Sequence, residues 1–162
     1  MAKKNRQPDV KHTPRITNRR ARFNYHILEV VEAGIALVGT EVKSLRGGTA
    51  SLEDAYVRIR GGQAFLVGLS IPAYKHASPL MQHEEKRDRK LLLHSRQIVR
   101  IEMHIRVKGN TAVPVSIYFK DGWAKCEIGL AVGKRQFDKR HAMKEKEQER
   151  AIAREMHRRS RE

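Results

Sequence analysis

Apolar and polar residues alternate through most of this chain, and the alternation stops near residue 132. Residues 25–31 (YHILEVV) are rich in β-branched and aromatic side chains and predict a strand. Glu32-Ala33-Gly34 reads as a turn, and residues 35–38 (IALV) as the returning strand. Gly39 and Thr40 end that strand. Thr40 is placed to cap a short helix over 41–46 with Val42 and Leu45 on one face, and Gly47-Gly48 stops it. Gly61-Gly62 then separates two alternating runs, 56–60 and 63–67, which is a two-residue hairpin signal because both glycines accept positive φ. In that register Val57, Ile59, Ala64 and Leu66 share one face. Arg58, Arg60 and Gln63 share the other with Tyr56, Phe65 and Val67.

Residues 70–90 carry Pro72, Pro79 and the charge run 84–90, and read as irregular. Ser95 is placed to cap a helix whose apolar side is Ile98, Ile101, Met103 and Ile105, ended by Lys108-Gly109-Asn110. The clearest element follows. Residues 113–120 and 123–130 flank Asp121-Gly122, which favours a type I′ turn. That turn pairs Lys120 with Trp123, Phe119 with Ala124 and Ile117 with Cys126. One face is then Val113, Val115, Ile117 and Phe119 with Ala124, Cys126, Ile128 and Leu130, all apolar. The other is Ser116, Tyr118 and Lys120 with Trp123, Lys125 and Glu127. A slip of one residue would bury the charges. Pro114 belongs at an edge or a strand start.

Before these elements, residues 1–16 read as a flexible basic arm with Pro8, Pro14 and five Lys or Arg. Thr17 or Asn18 either caps a short helical turn over 18–22 or continues the arm. The expected architecture is mainly β with α: a small six-stranded β-barrel over 17–132, two or three helices packed on it, and a basic tail over 133–162. A body of that size buries a core without disulfide or metal.

Charge sharpens the picture. Lys and Arg number 34 against 18 Asp and Glu, a net +16. Residues 1–22 hold +7 and residues 133–162 hold +5, so a nearly balanced body carries two basic ends. Polyphosphate is the matching partner, since each neutralised phosphate releases a counterion. An anionic membrane fits less well, because neither end has the wide apolar face of an interfacial helix. No run of about 18 apolar residues exists. The N-terminus lacks the apolar region of a secretory signal. Cys126 is the single cysteine, which excludes an internal disulfide and points to a reducing, cytoplasmic setting.

Three stretches are candidates for chemistry. Tyr118 and Trp123 sit among Lys120 and Lys125 on the wet hairpin face, where rings stack on bases and lysines meet phosphates. The alternative is that these aromatics pack under a neighbouring helix. Arg89 and Lys90 close the charge run 84–90 beside Leu91-Leu92-Leu93, either as solvated surface or as a basic rim to an apolar patch. In the tail, Lys146, Arg150, Arg154 and Arg158 would form one row at i+4 spacing if helical. Like charges so placed disfavour the free helix, which makes the tail unordered alone or helical on binding. Enzymatic signatures are poor. Residues 129–135 (GLAVGKR) are one residue short of a phosphate loop and lack its Ser or Thr. The eight histidines show no zinc spacing, and His76 and His83 read as solvated. No catalytic residue, metal or cofactor is expected.

Several stretches, in order, resemble one family: residues 18–22 (NRRAR), 32–34 (EAG), 41–46 (EVKSLR), 54–57 (DAYV), 89–93 (RKLLL), Lys125, 133–135 (GKR) and 138–140 (DKR). Together they are similar to the SsrA-binding proteins, or small protein B, partners of transfer-messenger RNA in bacterial trans-translation. The resemblance spans nearly the whole chain. It implies an oligonucleotide-binding (OB-type) barrel that grips the tRNA-like domain of transfer-messenger RNA as a monomer in a one-to-one complex. It implies a tail that enters the vacant mRNA channel and decoding centre of a stalled ribosome. RNA-binding positions would fall on Glu32, Leu92 and Lys125, and tail positions on Gly133, Lys134, Arg135, Asp138, Lys139 and Arg140. Many members place His or Tyr where this chain has Phe137, so stacking survives there and hydrogen bonding does not. The alternative readings are a general ribosome-associated RNA-binding or RNA-chaperone protein without a dedicated partner, and an RNA-modifying enzyme.

Overall fold

Among the described residues, seven strands build one antiparallel sheet: β1 (Ile16–Thr17), β2 (Tyr25–Ile35), β3 (Tyr56–Arg60), β4 (Gln63–Val67), β5 (Arg89–Leu92), β6 (Asn110–Lys120) and β7 (Trp123–Gly133). In this computed structural model their order is β1-β6-β7-β2-β5-β4-β3. β3, the far edge, comes back against β6, so the sheet rolls into the expected barrel. Among the same residues it is accompanied by the α-helices α1 (Arg19–Asn24), α2 (Gly39–Arg46), α3 (Ser95–Arg106) and α4 (Gln136–Arg159). The structure describes residues 14–159, without the side chains of Ala142, Lys146 and Arg159, so most of the N-terminal arm lies outside the described residues.

Both hairpins have the expected registers. Arg60 faces Gln63 across Gly61-Gly62, and Lys120 faces Trp123 across Asp121-Gly122. All four turn residues have positive φ, from 52° to 81°, as a type I′ turn requires. The core inside the barrel gathers Leu45, Leu66, Leu69, Ile71, Leu91, Ile101, Ile117 and Ile128.

Several expectations are corrected. The described residues form seven strands rather than six. Glu32-Ala33-Gly34 is no turn, because β2 runs through it to Ile35 and keeps Ala33 and Ile35 inside. Residues 36–38 then form no strand, and the missing partner is supplied by β5 from the end of the charge run. Val38, not Thr40, precedes α2, whose first turn is closed by the Glu41 carboxylate accepting from the Val38 N–H at 2.9 Å. Likewise His94, not Ser95, caps α3. Met103 is exposed on α3, and the buried side is Ile98, Ile101 and Ile105. His83 is not solvated: its ring bonds Thr40 and the Ile71 carbonyl, both at 2.9 Å. Asn18 does cap α1, accepting from Ala21 at 2.9 Å while its amide donates to Leu52 and Pro114.

A bulge between Pro114 and Ser116 corrects the faces of the last hairpin. Val113 lies on the outer side, where it packs with Ala21 of α1 and Ala131. Gly129 fits this crossing: a Cβ there would come within 2.9 Å of Val115 and 3.0 Å of Ile27.

The charge run hides an interior ion pair. Arg89 and Glu41 are both fully buried, with Arg89 Nε 2.9 Å from Glu41 Oε1. Arg87 adds a second donor, 2.6 Å from Oε2. Arg89 also donates to the carbonyls of Leu69, Arg87 and Glu85. Burial alone would raise the Glu41 carboxyl. The Arg87 hydrogen bond, the Val38 N–H and the Arg89 charge outweigh it and hold the group below its ordinary 4.5. The stabilisation is therefore complete above that value and lost as pH falls through the lowered one. We expect Glu41→Gln to cost about 3–5 kcal/mol, because it strands a buried guanidinium. Urea unfolding near pH 7 measures it, and a loss below about 1 kcal/mol would contradict this account.

Candidate nucleic-acid interface

Strand register assembles the site. Leu92 on β5 faces Gly34 on β2, Gly34 faces Lys125 on β7, and Lys125 faces Tyr118 on β6. Four strands thus place these residues in one lateral row on the outer surface. Glu32 lies two residues before Gly34, on the same side of β2, and Lys90 two before Leu92 on β5. Gly34 matters for its missing side chain. A Cβ there would stand 3.2 Å from the Leu92 Cβ, so Leu92 leans over bare backbone while remaining 54% exposed.

Glu32 is the electrostatic centre of the row. The Tyr118 hydroxyl donates to its Oε2, and Lys125 Nζ stands 3.4 Å from Oε1. The hydrogen bond from Tyr118, joined by the Lys120 and Lys125 charges, holds the carboxyl below its ordinary value. The same bond pushes the Tyr118 phenol up to about 12, so it stays a donor at any physiological pH. The Arg15 guanidinium covers the Tyr118 ring at 4.9 Å from its centroid and pairs with Glu127 at 2.5 Å. Ser116 donates to Glu127 from the same side at 2.7 Å. Beside the row lies an open groove of about 900 Å³ between β2, β5 and the start of α3. Arg100 on its α3 wall pairs with Glu29 at 2.7 Å.

The expected residues divide into three sets. Glu32, Leu92, Lys125, Tyr118 and Lys90 come together on this surface. Trp123, 73% exposed, and Lys120 stand beside them at the hairpin tip, so among the described residues the tryptophan packs under no helix. Arg89 is a correction: its guanidinium is fully buried against Glu41 and reaches no surface partner. Arg15, Gly34 and Arg100 belong to the surface and were not anticipated. Unbroken alternation through Glu32-Ala33-Gly34 was the available signal for Gly34, whereas nothing local marks Arg15.

The tail starts at the far end of β7. Gly133 faces Tyr25, and its N–H donates to the Gly109 carbonyl at 3.2 Å. Lys134 and Asp138 are engaged within the chain, whereas Arg135, Phe137 and Arg140 are exposed. Lys139 is half-buried. The expectation of a tail unordered on its own and helical only on binding is corrected: Gln136–Arg159 is helical in the chain alone. Gln136–Arg159 contains no Gly or Pro and one β-branched residue, Ile152. Acidic residues interleave with the basic ones, and His141 pairs with Glu145 at 3.2 Å. Like-charge repulsion of a few tenths of a kcal/mol per pair does not override that propensity. Arg150, Arg154 and Arg158 are exposed along α4, while the Lys146 side chain lies outside the described residues.

Comparison with known proteins follows the same outline. The family model described as SmpB protein matches residues 15–158. An SsrA-binding protein of Leifsonia xyli subsp. xyli is 51% identical over 140 residues, covering 86% of this chain and 88% of the relative. One from Thermobifida fusca is 46% identical over 160 residues, covering 98% and 99%. A solved structure described as "tmRNA-SmpB: a journey to the center of the bacterial ribosome" superposes with a TM-score of 0.66 at 44% identity, covering 80% of this chain and 94% of that one. The family model spans residues 15–158, from the first barrel strand into the tail, and this chain belongs to the SmpB family of SsrA-binding proteins.

Proposed function

We propose that this protein binds the tRNA-like domain of transfer-messenger RNA through the β5–β2–β7–β6 surface and delivers it to stalled ribosomes. There the tail occupies the vacant mRNA channel and decoding centre. The observation that carries the reading is the register that joins Leu92, Gly34, Lys125 and Tyr118 in one row beside Glu32. Each group has a partner in folded RNA. Lys125, Lys120 and Lys90 meet phosphates, Trp123 stacks on a base, and Leu92 covers an apolar sugar or base face. The ionised Glu32 accepts from an amino or 2′-hydroxyl group.

The protein acts by binding, with no reaction of its own, in the cytoplasm, as one copy per RNA. The barrel recognises folded RNA and the tail supplies charge and shape inside the ribosome. A general RNA chaperone of the same fold would lack the preference. Affinity for transfer-messenger RNA against bulk tRNA at fixed salt separates the two, because charge alone gives similar affinities.

Lys125→Ala should weaken binding and lower the log–log salt slope by about 1, as loss of one phosphate contact does. An unchanged slope in filter binding across a salt series would remove Lys125 from the phosphate-facing set. Tyr118→Phe keeps the ring under Arg15 and deletes the hydroxyl that holds Glu32. We expect weaker binding with the salt slope unaltered, since no phosphate contact is lost. β7 pairs as far as Gly133, so the tail is best removed after Arg135. That truncated protein should retain affinity for transfer-messenger RNA and lose ribosome rescue in a reconstituted tagging assay. Loss of both together would reject the division between barrel and tail.

A further inference from the structure

The tail's one early acidic residue is hard to explain as an RNA contact. Asp138 stands among Lys134, Arg135, Lys139 and Arg140, and a carboxylate gains nothing from phosphate. Its surroundings give it another task. It is the third residue of α4, and its Oδ2 accepts from the Arg135 N–H at 3.1 Å, which satisfies a donor just before the first turn. The same oxygen is 3.7 Å from His26 Nε2 on β2. A carboxylate there also complements the positive end of the helix dipole.

Lys134 is engaged in the same place. Its N–H donates to the Asn24 carbonyl at 2.9 Å, and its Nζ donates to the Arg22 carbonyl at 3.1 Å. Arg22 lies in the last turn of α1, where carbonyls lack helical partners and a cation is favoured. The barrel end of β7, the C-terminal end of α1 and the first turn of α4 thus meet through two side chains.

We propose that Lys134 and Asp138 form a joint that fixes the direction in which α4 leaves the barrel, leaving Lys139 and Arg140 to face RNA. They are positioning residues: they act by aiming the helix. The inference rests on the reading that the tail works inside the ribosome. It deepens that reading by separating residues that aim the tail from residues that touch the target.

The test uses the full chain with spin labels at Gln63→Cys and Glu147→Cys, two exposed positions on the barrel and on α4; native Cys126 is buried. Pulsed dipolar spectroscopy then reads the distance between barrel and tail. Asp138→Ala and Lys134→Ala should each broaden that distribution. Asp138→Glu keeps a carboxylate at the third helical position and should restore it. In the rescue assay, Asp138→Ala should raise the protein concentration for half-maximal tagging by roughly two- to fivefold. The rate at saturation and the affinity for transfer-messenger RNA should stay unchanged, and Asp138→Glu should return to the parent value. An unaltered distance distribution in Asp138→Ala overturns the joint. So does a broadened one with normal rescue, or an Asp138→Glu that rescues no better than alanine. Normal rescue by the protein truncated after Arg135 would instead overturn the role of the tail itself, a distinct result.

Discussion

The pairing of β2 with β7 is the constraint on which the rest of this protein depends. It runs from Tyr25 opposite Gly133 to Gly34 opposite Lys125. At about 3.4 Å per residue the ladder spans roughly 30 Å. One end holds the row of Lys125, Gly34 and Leu92. The other holds the joint from which α4 departs. A ladder of backbone hydrogen bonds between two central strands has little freedom to bend, so the two ends keep a set separation. A protein that must hold one RNA while reaching toward another site needs such a ruler. A single bulge, between Ile27 and Glu29, interrupts it. That bulge leaves Leu28 and Val30 exposed on the outer side and Val31, Ala33 and Ile35 in the core.

Around this ruler the interior is pinned by charge as well as by apolar packing. Glu41 closes the first turn of α2, and Arg89 enters from β5. A buried pair of this kind adds little net stability over an apolar pair of the same volume. It does make one arrangement of α2 against β5 much better than its neighbours, since any slip leaves a buried ion unmatched. β5 in turn fixes Leu92 opposite Gly34. The exactness of the outer row therefore derives in part from a salt bridge on the other side of the sheet.

The hairpins were legible in the sequence because their information is local. Gly61-Gly62 and Asp121-Gly122 set both turn and register, and the wet face carrying Tyr118, Lys125 and Trp123 followed from alternation. What was misread depended on long-range choices. Glu32-Ala33-Gly34 has turn composition, yet pairing with β7 over the whole length of β2 outweighs a local glycine preference. Arg89 looked like surface because mixed charge runs are usually solvated. Its burial required Glu41, 48 residues earlier, and no periodicity links the two. Arg15 similarly reaches Tyr118 across more than a hundred residues of chain. The faces of residues 113–115 were reversed by one extra residue in a bulge, which a strict period of two does not anticipate. The resemblance implied RNA contacts at Glu32, Leu92 and Lys125, and strand register puts the three on one surface.

The tail departs from the Gly133 end of the β2–β7 ladder. Its excess of basic groups would bind any polyphosphate, so charge cannot be the source of its selectivity. An arm that swings freely would meet RNA anywhere within reach, including the RNA held by its own barrel. A helix with a set departure samples far less space. The ordering cost is then met within the protein, by capping and by contacts to α1, before any ribosome is engaged. On the proposed reading specificity is a property of direction: the same arginines, carried on a helix whose departure is set at Lys134 and Asp138, are presented to one site and withheld from others.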